Sequence, residues 1–173
     1  DPSYAYVLLE NDNQVEIYYS FDLDIINMST YDFISHKIQG EDMFDTESIS
    51  LELGDESYDI QLNVDERTCT INGSPVEIAD TEGYTAFQNF YSSFASWEIA
   101  GIDADAKPDK DDTVLTAVFK TKSNGDSKIE IVKGSDNRYY ILKDGKYTCA
   151  YANEGRFTGR TSVAEFLSKL VTK

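Results

Sequence analysis

The residue types that carry most protein chemistry are scarce or poorly placed in this chain of 173 residues. His36 is the single histidine, and a general base built on it needs a nucleophile and an orienting carboxylate within reach. Asp32 is near it in sequence, but no serine lies in a nucleophile motif such as GxSxG. A histidine-based zinc site needs a second histidine or a neighbouring cysteine. We therefore predict a structural or merely exposed role for His36, with no metal and no other cofactor.

Carboxylates are abundant, with 32 aspartates and glutamates. A glycosidase needs only two of them, about 5 Å or about 6.5–9.5 Å apart across a cleft. Because so many acidic residues form pairs by chance, and small sheets leave little room for a cleft, abundance does not indicate an active site. An acidic-residue hydrolase is the least favoured function, and we predict no catalytic residue.

An aspartate cluster within residues 103–112, DADAKPDKDD, resembles a calcium loop at first sight. The EF-hand spacing fails because Pro108 takes the sixth position from Asp103, where glycine is required, and no glutamate follows at the twelfth. A solvated acidic linker is the favoured interpretation, and weak calcium binding stays open. The glycines of the chain are isolated turn residues, so no phosphate-binding loop is predicted.

Two cysteines, Cys69 and Cys149, are 80 residues apart and match no CxxC spacing. Packed free thiols are the favoured interpretation, because buried unpaired cysteine is common. Whether the two pair depends on the fold.

Tyrosine is frequent, with 12 residues. Alternation along strands sends successive side chains to opposite faces, so some rings must reach solvent. The candidates are Tyr6, Tyr18, Tyr139, Tyr147 and Tyr151. Exposed rings suit a protein or glycan contact, whereas tyrosine also fills half-buried strand positions well.

The charge balance narrows the class of partner. Fifteen basic and 32 acidic residues give a net charge of −17, which repels the phosphates of nucleic acids and disfavours anionic bilayers. The chain contains no run of about 18 apolar residues and no amino-terminal signal pattern, so we predict a soluble chain without direct membrane insertion. Since it begins at Asp1 within an apparent strand, we interpret it as an excised fragment.

The amino-terminal part opens with two apolar runs, 4–9 and 15–19, around a polar turn, which predicts a β-hairpin. Short helices are predicted next, one within 22–28 and one capped by Ser29 and Asp32.

Two similar series of elements follow. The first has alternating runs at 49–53, 58–64, 67–71 and 76–79, then a helix over 81–95 with an aromatic face. The second has runs at 114–120, 129–132, 139–142 and 147–151, then a helix opened by the capping box Ser162 and Glu165. The predicted apolar face of that last helix comprises Val163, Phe166, Leu167, Leu170 and Val171.

This order predicts an α+β fold with an internal duplication. Each of the two repeated modules is an antiparallel β-meander of about four strands followed by an amphipathic helix that covers its sheet. The predicted divisions are 1–46 (hairpin and short helices, as a candidate remnant of a preceding repeat), 47–102 (first module), 103–112 (acidic linker) and 113–173 (second module).

The same order of segments resembles the bacterial domain of unknown function 4340 family. The resemblance is carried by YAYVLLENDNQVEIYYSFDLDIINMSTYDFISHKI, ISLEL, YDIQLN, TCTINGSPVEIADTEGYTAFQNFYSSF, YYILKDGKYTCAY and SVAEFLSKLV. It implies a carboxy-terminal portion of a protein anchored by one membrane span outside these residues, with this domain outside the cytoplasmic membrane. Some family members accompany ABC-transporter genes of the gliding-motility type. The family has no assigned catalytic residues, so none is transferred to this chain.

Three functions are therefore weighed. The first is a non-catalytic extracytoplasmic domain that acts through protein–protein contacts, with ABC-transporter components as candidate partners. The second is a cell-surface glycan- or peptide-binding module that uses exposed tyrosines, and the third is a hydrolase. A broad flat surface favours the first, a tyrosine-lined groove the second, and a cleft with two facing carboxylates the third.

Overall fold

A computed structural model describes residues 4–8, 15–19, 28–66, 68–77, 86–95, 97–158, 160 and 162–171. They belong to two compact units, residues 1–35 and residues 36–173. The described chain is mostly β-strand with helices, which agrees with the predicted α+β class. Among these residues, no helix is both long and apolar enough to cross a membrane.

The first unit contains the predicted hairpin. Its strands β1 (Tyr4–Leu8) and β2 (Val15–Tyr19) pair antiparallel, with Tyr4 opposite Tyr19. The turn between them and nearly all of the helix predicted over 22–28 lie outside the described residues. The next predicted helical turn is a 3-10 helix, Thr30–Phe33, in which the Asp32 carboxylate accepts hydrogen bonds from the Ser29 amide at 2.7 Å and hydroxyl at 2.9 Å.

The second unit is built on one antiparallel sheet, which has nine strands among the described residues. In chain order these are β3 (Thr46–Leu53), β4 (Glu56–Asn63), β5 (Thr68–Ile71), β6 (Ser74–Glu77), β7 (Gly101–Ile102), β8 (Thr113–Thr121), β9 (Gly125–Lys133), β10 (Arg138–Lys143) and β11 (Lys146–Asn153). Across the sheet they lie in the order β6-β5-β4-β3-β8-β9-β10-β11-β7.

Two tight turns set the register of their hairpins. Asn72 and Gly73 have φ of 50° and 78°, and Asp144 and Gly145 have φ of 51° and 76°. A two-residue loop with positive φ at both residues is the type I′ turn that Asn-Gly and Asp-Gly favour, because its twist matches that of the strands. The hairpins predicted from these dipeptides are confirmed.

Strands β3 and β8 join the two predicted meanders into one sheet. Ile49 lies opposite Phe119 and Leu51 opposite Ala117, and all four side chains are buried. The apolar residues of both halves therefore point to the same face and contribute to one core.

Helices cover that apolar face. They are α1 (Ala86–Ala95), α2 (Gly155–Thr158) and α3 (Val163–Val171), and α1 contacts α3. Phe94 of α1 packs edge-on against Phe119 at 5.2 Å and Trp97 at 5.0 Å between ring centroids. These contacts confirm the predicted aromatic helix face, although residues 81–85, where the helix was predicted to begin, lie outside the described residues.

Helix α3 begins as predicted, since the Ser162 hydroxyl accepts a hydrogen bond from the Glu165 amide at 3.3 Å. Val163, Leu167 and Leu170 are buried. The prediction that Val171 belongs to the buried face is wrong, because this residue at the last helical position is 49% exposed.

Candidate functional site

The two faces of the nine-stranded sheet differ sharply in composition. Along β3, Ile49 and Leu51 are buried against the helices, whereas Ser50 and Glu52 point the other way and are exposed. Alternation of side chains along strands produces this separation. We call the second face of the central strands the open face. By the strand register, it comprises Ser48, Ser50, Glu52, Ser57, Asp59, Gln61, Thr116, Val118, Lys120, Asp126, Lys128 and Glu130.

The open face is polar and rich in hydrogen-bonding groups of both kinds. Hydroxyls from Ser48, Ser50 and Ser57 lie beside carboxylates and amides, and Gln61 donates to Asp59 at 2.6 Å. Pairing is regular across β4, β3 and β8 between residues 48 and 53 of the central strand. The surface is therefore continuous, and an antiparallel sheet commonly has one such solvated face.

A row of three side chains crosses the centre of this face. Glu52 lies opposite Thr116, and Thr116 lies opposite Glu130 on the next strand. Glu130 is only 7% exposed, although its neighbours on the same face are largely polar. The row therefore places one buried carboxylate and one exposed carboxylate on either side of a threonine.

Only one of the two oxygens of the Glu130 carboxylate has a hydrogen-bond partner among the described residues. Its Oε1 accepts a hydrogen bond from Lys128 Nζ at 2.8 Å, while its buried Oε2 has no hydrogen-bond partner within the described part of the chain. Burying a charged oxygen without a partner costs free energy. A donor group brought by a bound molecule would remove part of that cost.

A small cavity of about 250 Å³ lies at this position, lined by Glu52, Thr116, Lys128 and Glu130 among others. It contains two carboxylates, as the hydrolase hypothesis requires. Its volume is below the roughly 300 Å³ at which ordinary ligand pockets begin, and Lys128 occupies one oxygen of Glu130. The cavity therefore suits one inserted donor side chain better than an enclosed glycosidic bond.

The remaining part of the same face, over β10 and β11, is covered by the acidic segment 103–112. Ala106 packs against Val132, Tyr140 and Leu142. Asp103 also contacts this part of the sheet: its Oδ2 accepts from Arg138 Nη1 at 2.9 Å and its carbonyl accepts from the Tyr147 hydroxyl at 2.6 Å.

The other aspartates of that segment, Asp105, Asp109, Asp111 and Asp112, are exposed. Within the residues that the structure describes, no group of three or more histidine, cysteine or acidic side chains is arranged to hold a metal ion.

The tyrosines proposed as exposed rings are mostly engaged inside the fold. Tyr139 is 3% exposed and packs on Phe157 at 5.3 Å, and Tyr147 and Tyr151 are half-buried. Burial, followed by the negative charge of Asp103, raises the pKa of Tyr147. Tyr18 of the first unit is exposed, and the side chain of Tyr6 lies outside the description. Tyr139 therefore belongs to the core. Tyr147 and Tyr151 pack on the opposite face against the cluster of Val132, Tyr140 and Leu142, which the segment 103–112 also contacts.

The cysteines and the histidine also have structural surroundings. Cys69 and Cys149 are both free, and five strands separate β5 from β11, so the two thiols do not pair within the chain. Burial raises the pKa of the Cys69 thiol to about 12. The His36 carbonyl accepts a hydrogen bond from the Ile99 amide at 2.8 Å, which places this half-buried residue beside the core.

Glu130 was not singled out from the sequence. The sequence does contain one indication of this residue: a single charged side chain interrupts the apolar run Ile129–Glu130–Ile131–Val132. Alternation predicts that Glu130 and Val132 share the face opposite the core. The burial of Glu130 follows from its cross-strand neighbours, Thr116 on β8 and Leu142 on β10, which are both buried and distant from it in sequence.

Comparisons with known proteins give no relative. No protein-family model matches the chain, no curated protein matches it, and no solved structure matches it. The resemblance to the domain of unknown function 4340 family stays a prediction from the sequence.

Proposed function

We propose that this chain is a non-catalytic protein-interaction domain that binds a partner protein through the open face of its sheet. The observation that carries the proposal is the polar face of the central strands, at whose centre the buried Glu130 Oε2 has no hydrogen-bond partner among the residues that the structure describes. A Lys or Arg side chain of the partner would enter the small cavity and donate to that oxygen. Charge-assisted hydrogen bonds of this type are stronger than neutral ones.

The size of the surface limits the strength of the contact. The five adjacent strands β5, β4, β3, β8 and β9 span about 19 Å across the sheet, at about 4.8 Å between neighbours. Six residues along each strand span about 20 Å. A standard stable interface buries roughly 800 Å² on each partner, which this flat area alone does not reach. The proposed contact is therefore transient, or it extends beyond the sheet.

The cellular setting of the proposal rests on the sequence resemblance alone. We infer that the domain lies outside the cytoplasmic membrane of a bacterium, on the cell surface, as part of a membrane-anchored protein. Components of an ABC transporter are the candidate partners. The strongly acidic composition, with a net charge of −17, favours a partner with a basic surface and speeds its encounter.

We further infer that residues 47–102 and 113–173 arose by internal duplication. In support, β3-β4-β5-β6 and β8-β9-β10-β11 are both consecutive meanders, and they extend in opposite directions from the β3–β8 pair. Each is followed by a helix, α1 or α3, on the apolar face. The duplication explains how one sheet came to have a broad continuous open face.

A pair of matched variants tests the interaction. Ser50→Arg places a long cation on the open face, and Ser92→Arg places the same side chain on an exposed position of α1. We expect that the tagged natural protein, purified from its own host cells, retains its partner as wild type and as Ser92→Arg but loses it as Ser50→Arg. Equal unfolding midpoints of the three proteins serve as the control, and retention by Ser50→Arg contradicts the proposal.

A further inference from the structure

A larger cavity lies on the opposite, helix-covered side of the sheet. Its volume is about 620 Å³, within the range of roughly 300–1,000 Å³ that small-molecule sites occupy. It opens at the end of the sheet where β3 ends and β8 begins, with Leu53 opposite Leu115 at its floor. Tyr139, at the start of β10, and Phe157 of α2 add two aromatic side chains to its wall.

The cavity continues the apolar core to the surface. Leu115 and Tyr139 are 2% and 3% exposed, and Phe157 packs on Tyr139 at 5.3 Å. Such a wall favours the apolar part of a ligand, because burial of methylene groups away from water is favourable. This cavity has a more apolar lining than the small cavity on the open face.

Two cations flank the apolar wall. Lys133, opposite Tyr139 in the sheet, and Arg160, between α2 and α3, both line the cavity and are exposed. Neither has an ion-pair partner in the part of the chain that the structure describes. Glu165 also lines the cavity, but Lys169 pairs with its carboxylate at 3.2 Å.

The two cations contrast with the acidic composition of the chain. The chain has only 15 basic residues against 32 acidic ones, so most of its surface repels an anion. Two cations that have no ion-pair partner among the described residues line one apolar cavity, which matches a ligand with an apolar body and one anionic end.

From this combination we propose that the cavity binds a small amphipathic carboxylate, such as a medium-chain fatty acid. The alkyl chain packs between Leu115 and Phe157, and the carboxylate accepts hydrogen bonds from Lys133 and Arg160. This cavity opens on the helix-covered side of the sheet, whereas the protein contact proposed above uses the open face. Val114 and Leu115 of β8 line the cavities on both sides.

Trp97 provides a direct readout. It is the single tryptophan of the chain, it is fully buried, and its ring lies 5.3 Å from that of Phe157. A molecule that contacts Phe157 on the cavity side alters the packing around Trp97. Intrinsic fluorescence thus reports occupancy without a label.

Octanoate is the probe, and octanamide, which has the same chain length but no charge, is its neutral counterpart. We expect saturable changes in Trp97 fluorescence with octanoate and at least about tenfold weaker binding of octanamide, because octanamide lacks the charge that both cations contact. Lys133→Gln and Arg160→Gln should each weaken octanoate binding severalfold and leave octanamide binding unchanged. Lys120→Gln, on the open face, is the matched control and should bind octanoate as the wild type does.

Filling the cavity is the second test. Ala164 is a half-buried lining residue on α3, and Ala164→Phe should abolish binding of both probes while circular dichroism shows a folded chain. The proposal is overturned if octanoate gives no saturable signal, if octanoate and octanamide bind equally, or if Lys133→Gln and Arg160→Gln bind octanoate with unchanged affinity. Lys133→Gln and Arg160→Gln replace exposed charged side chains with neutral ones and should not affect folding. They therefore test the proposed carboxylate contact even if Ala164→Phe does not fold.

Discussion

Glu130 combines a stability cost with a proposed role in binding. Its carboxylate is nearly buried, and its Oε2 has no hydrogen-bond partner in the described part of the chain. Proteins retain such groups mainly where a function uses them, since a buried carboxylate oxygen without a hydrogen bond lowers the free energy of unfolding. Stability and partner binding should therefore respond to this residue in opposite directions.

Glu130→Gln tests this opposition. Glutamine keeps the shape and removes the buried charge, while Lys128, with 43% of its side chain exposed, remains solvated without its partner. We expect the free energy of unfolding in urea to be unchanged or raised by up to about 1 kcal/mol, because the desolvation cost of the buried charge is removed, and partner binding to fall. Glu52→Gln, on the exposed side of the row, is the control for stability. A loss of more than about 1 kcal/mol in Glu130→Gln would show that the Lys128 pair outweighs the burial cost.

Ser162→Ala tests the start of α3. The Ser162 hydroxyl accepts from the Glu165 amide and the residue is 2% exposed, so its loss leaves an amide unsatisfied at the helix start. We expect a cost of about 1 kcal/mol, measured by urea denaturation with an unchanged slope. Ser92→Ala, at an exposed position of α1, should be neutral. Equal urea-denaturation midpoints for Ser162→Ala and wild type would contradict a stabilising role of the Ser162 cap.

The buried hydroxyl of Tyr91 should make the stability of the fold depend on alkaline pH. Burial raises its pKa from 10.0 to about 12, with the hydroxyl held between Thr46 at 2.7 Å and the Glu41 carbonyl at 3.1 Å. Because the folded pKa exceeds the unfolded value, the stabilisation is complete below about pH 10 and is lost as the pH rises towards about 12. Tyr91→Phe should show a shallower fall of unfolding free energy over this interval. Parallel profiles for both proteins would contradict this assignment.

At the scale of elements, the parts of the fold that depend on local patterns were predictable. Alternation located the strands, the dipeptides Asn72–Gly73 and Asp144–Gly145 located two hairpins, and Ser162 located a helix start. The short elements were not predicted: β7 has two residues and α2 has four, too few for any periodicity. The strand order and the burial of Glu130 depend on contacts distant in sequence, so local patterns do not contain them.

Glycine positions at the covered end of the sheet support another prediction. A methyl group at Gly134 would overlap the ring of Tyr140, whereas Gly155 of α2 has nothing within 4 Å of that position. Gly134→Ala should therefore displace Tyr140 from Val132 and Leu142 and cost about 1–3 kcal/mol, as overpacking does. Gly155→Ala should be neutral or slightly stabilising in the same denaturation experiment. Similar effects of the two substitutions would show that Tyr140 moves aside without cost.

At the scale of the whole molecule, the pairing of β3 with β8 has the largest consequence. It gives both halves a common core on one face, where Phe94 of the first half packs on Phe119 of the second. On the other face it brings Glu52 and Glu130, from different halves, into one row across Thr116. Neither half alone presents the proposed binding surface.

Site-specific photocrosslinking in the host cell tests the proposed interaction most directly. A photoreactive amino acid replaces Ser50 at the centre of the open face or Ser92 on the helical layer of the natural full-length protein. We expect a discrete adduct with one partner protein from position 50, its loss when Glu130→Gln is combined with it, and no such adduct from position 92. An adduct from position 92 alone, or an adduct from position 50 that Glu130→Gln does not affect, would contradict binding through the open face.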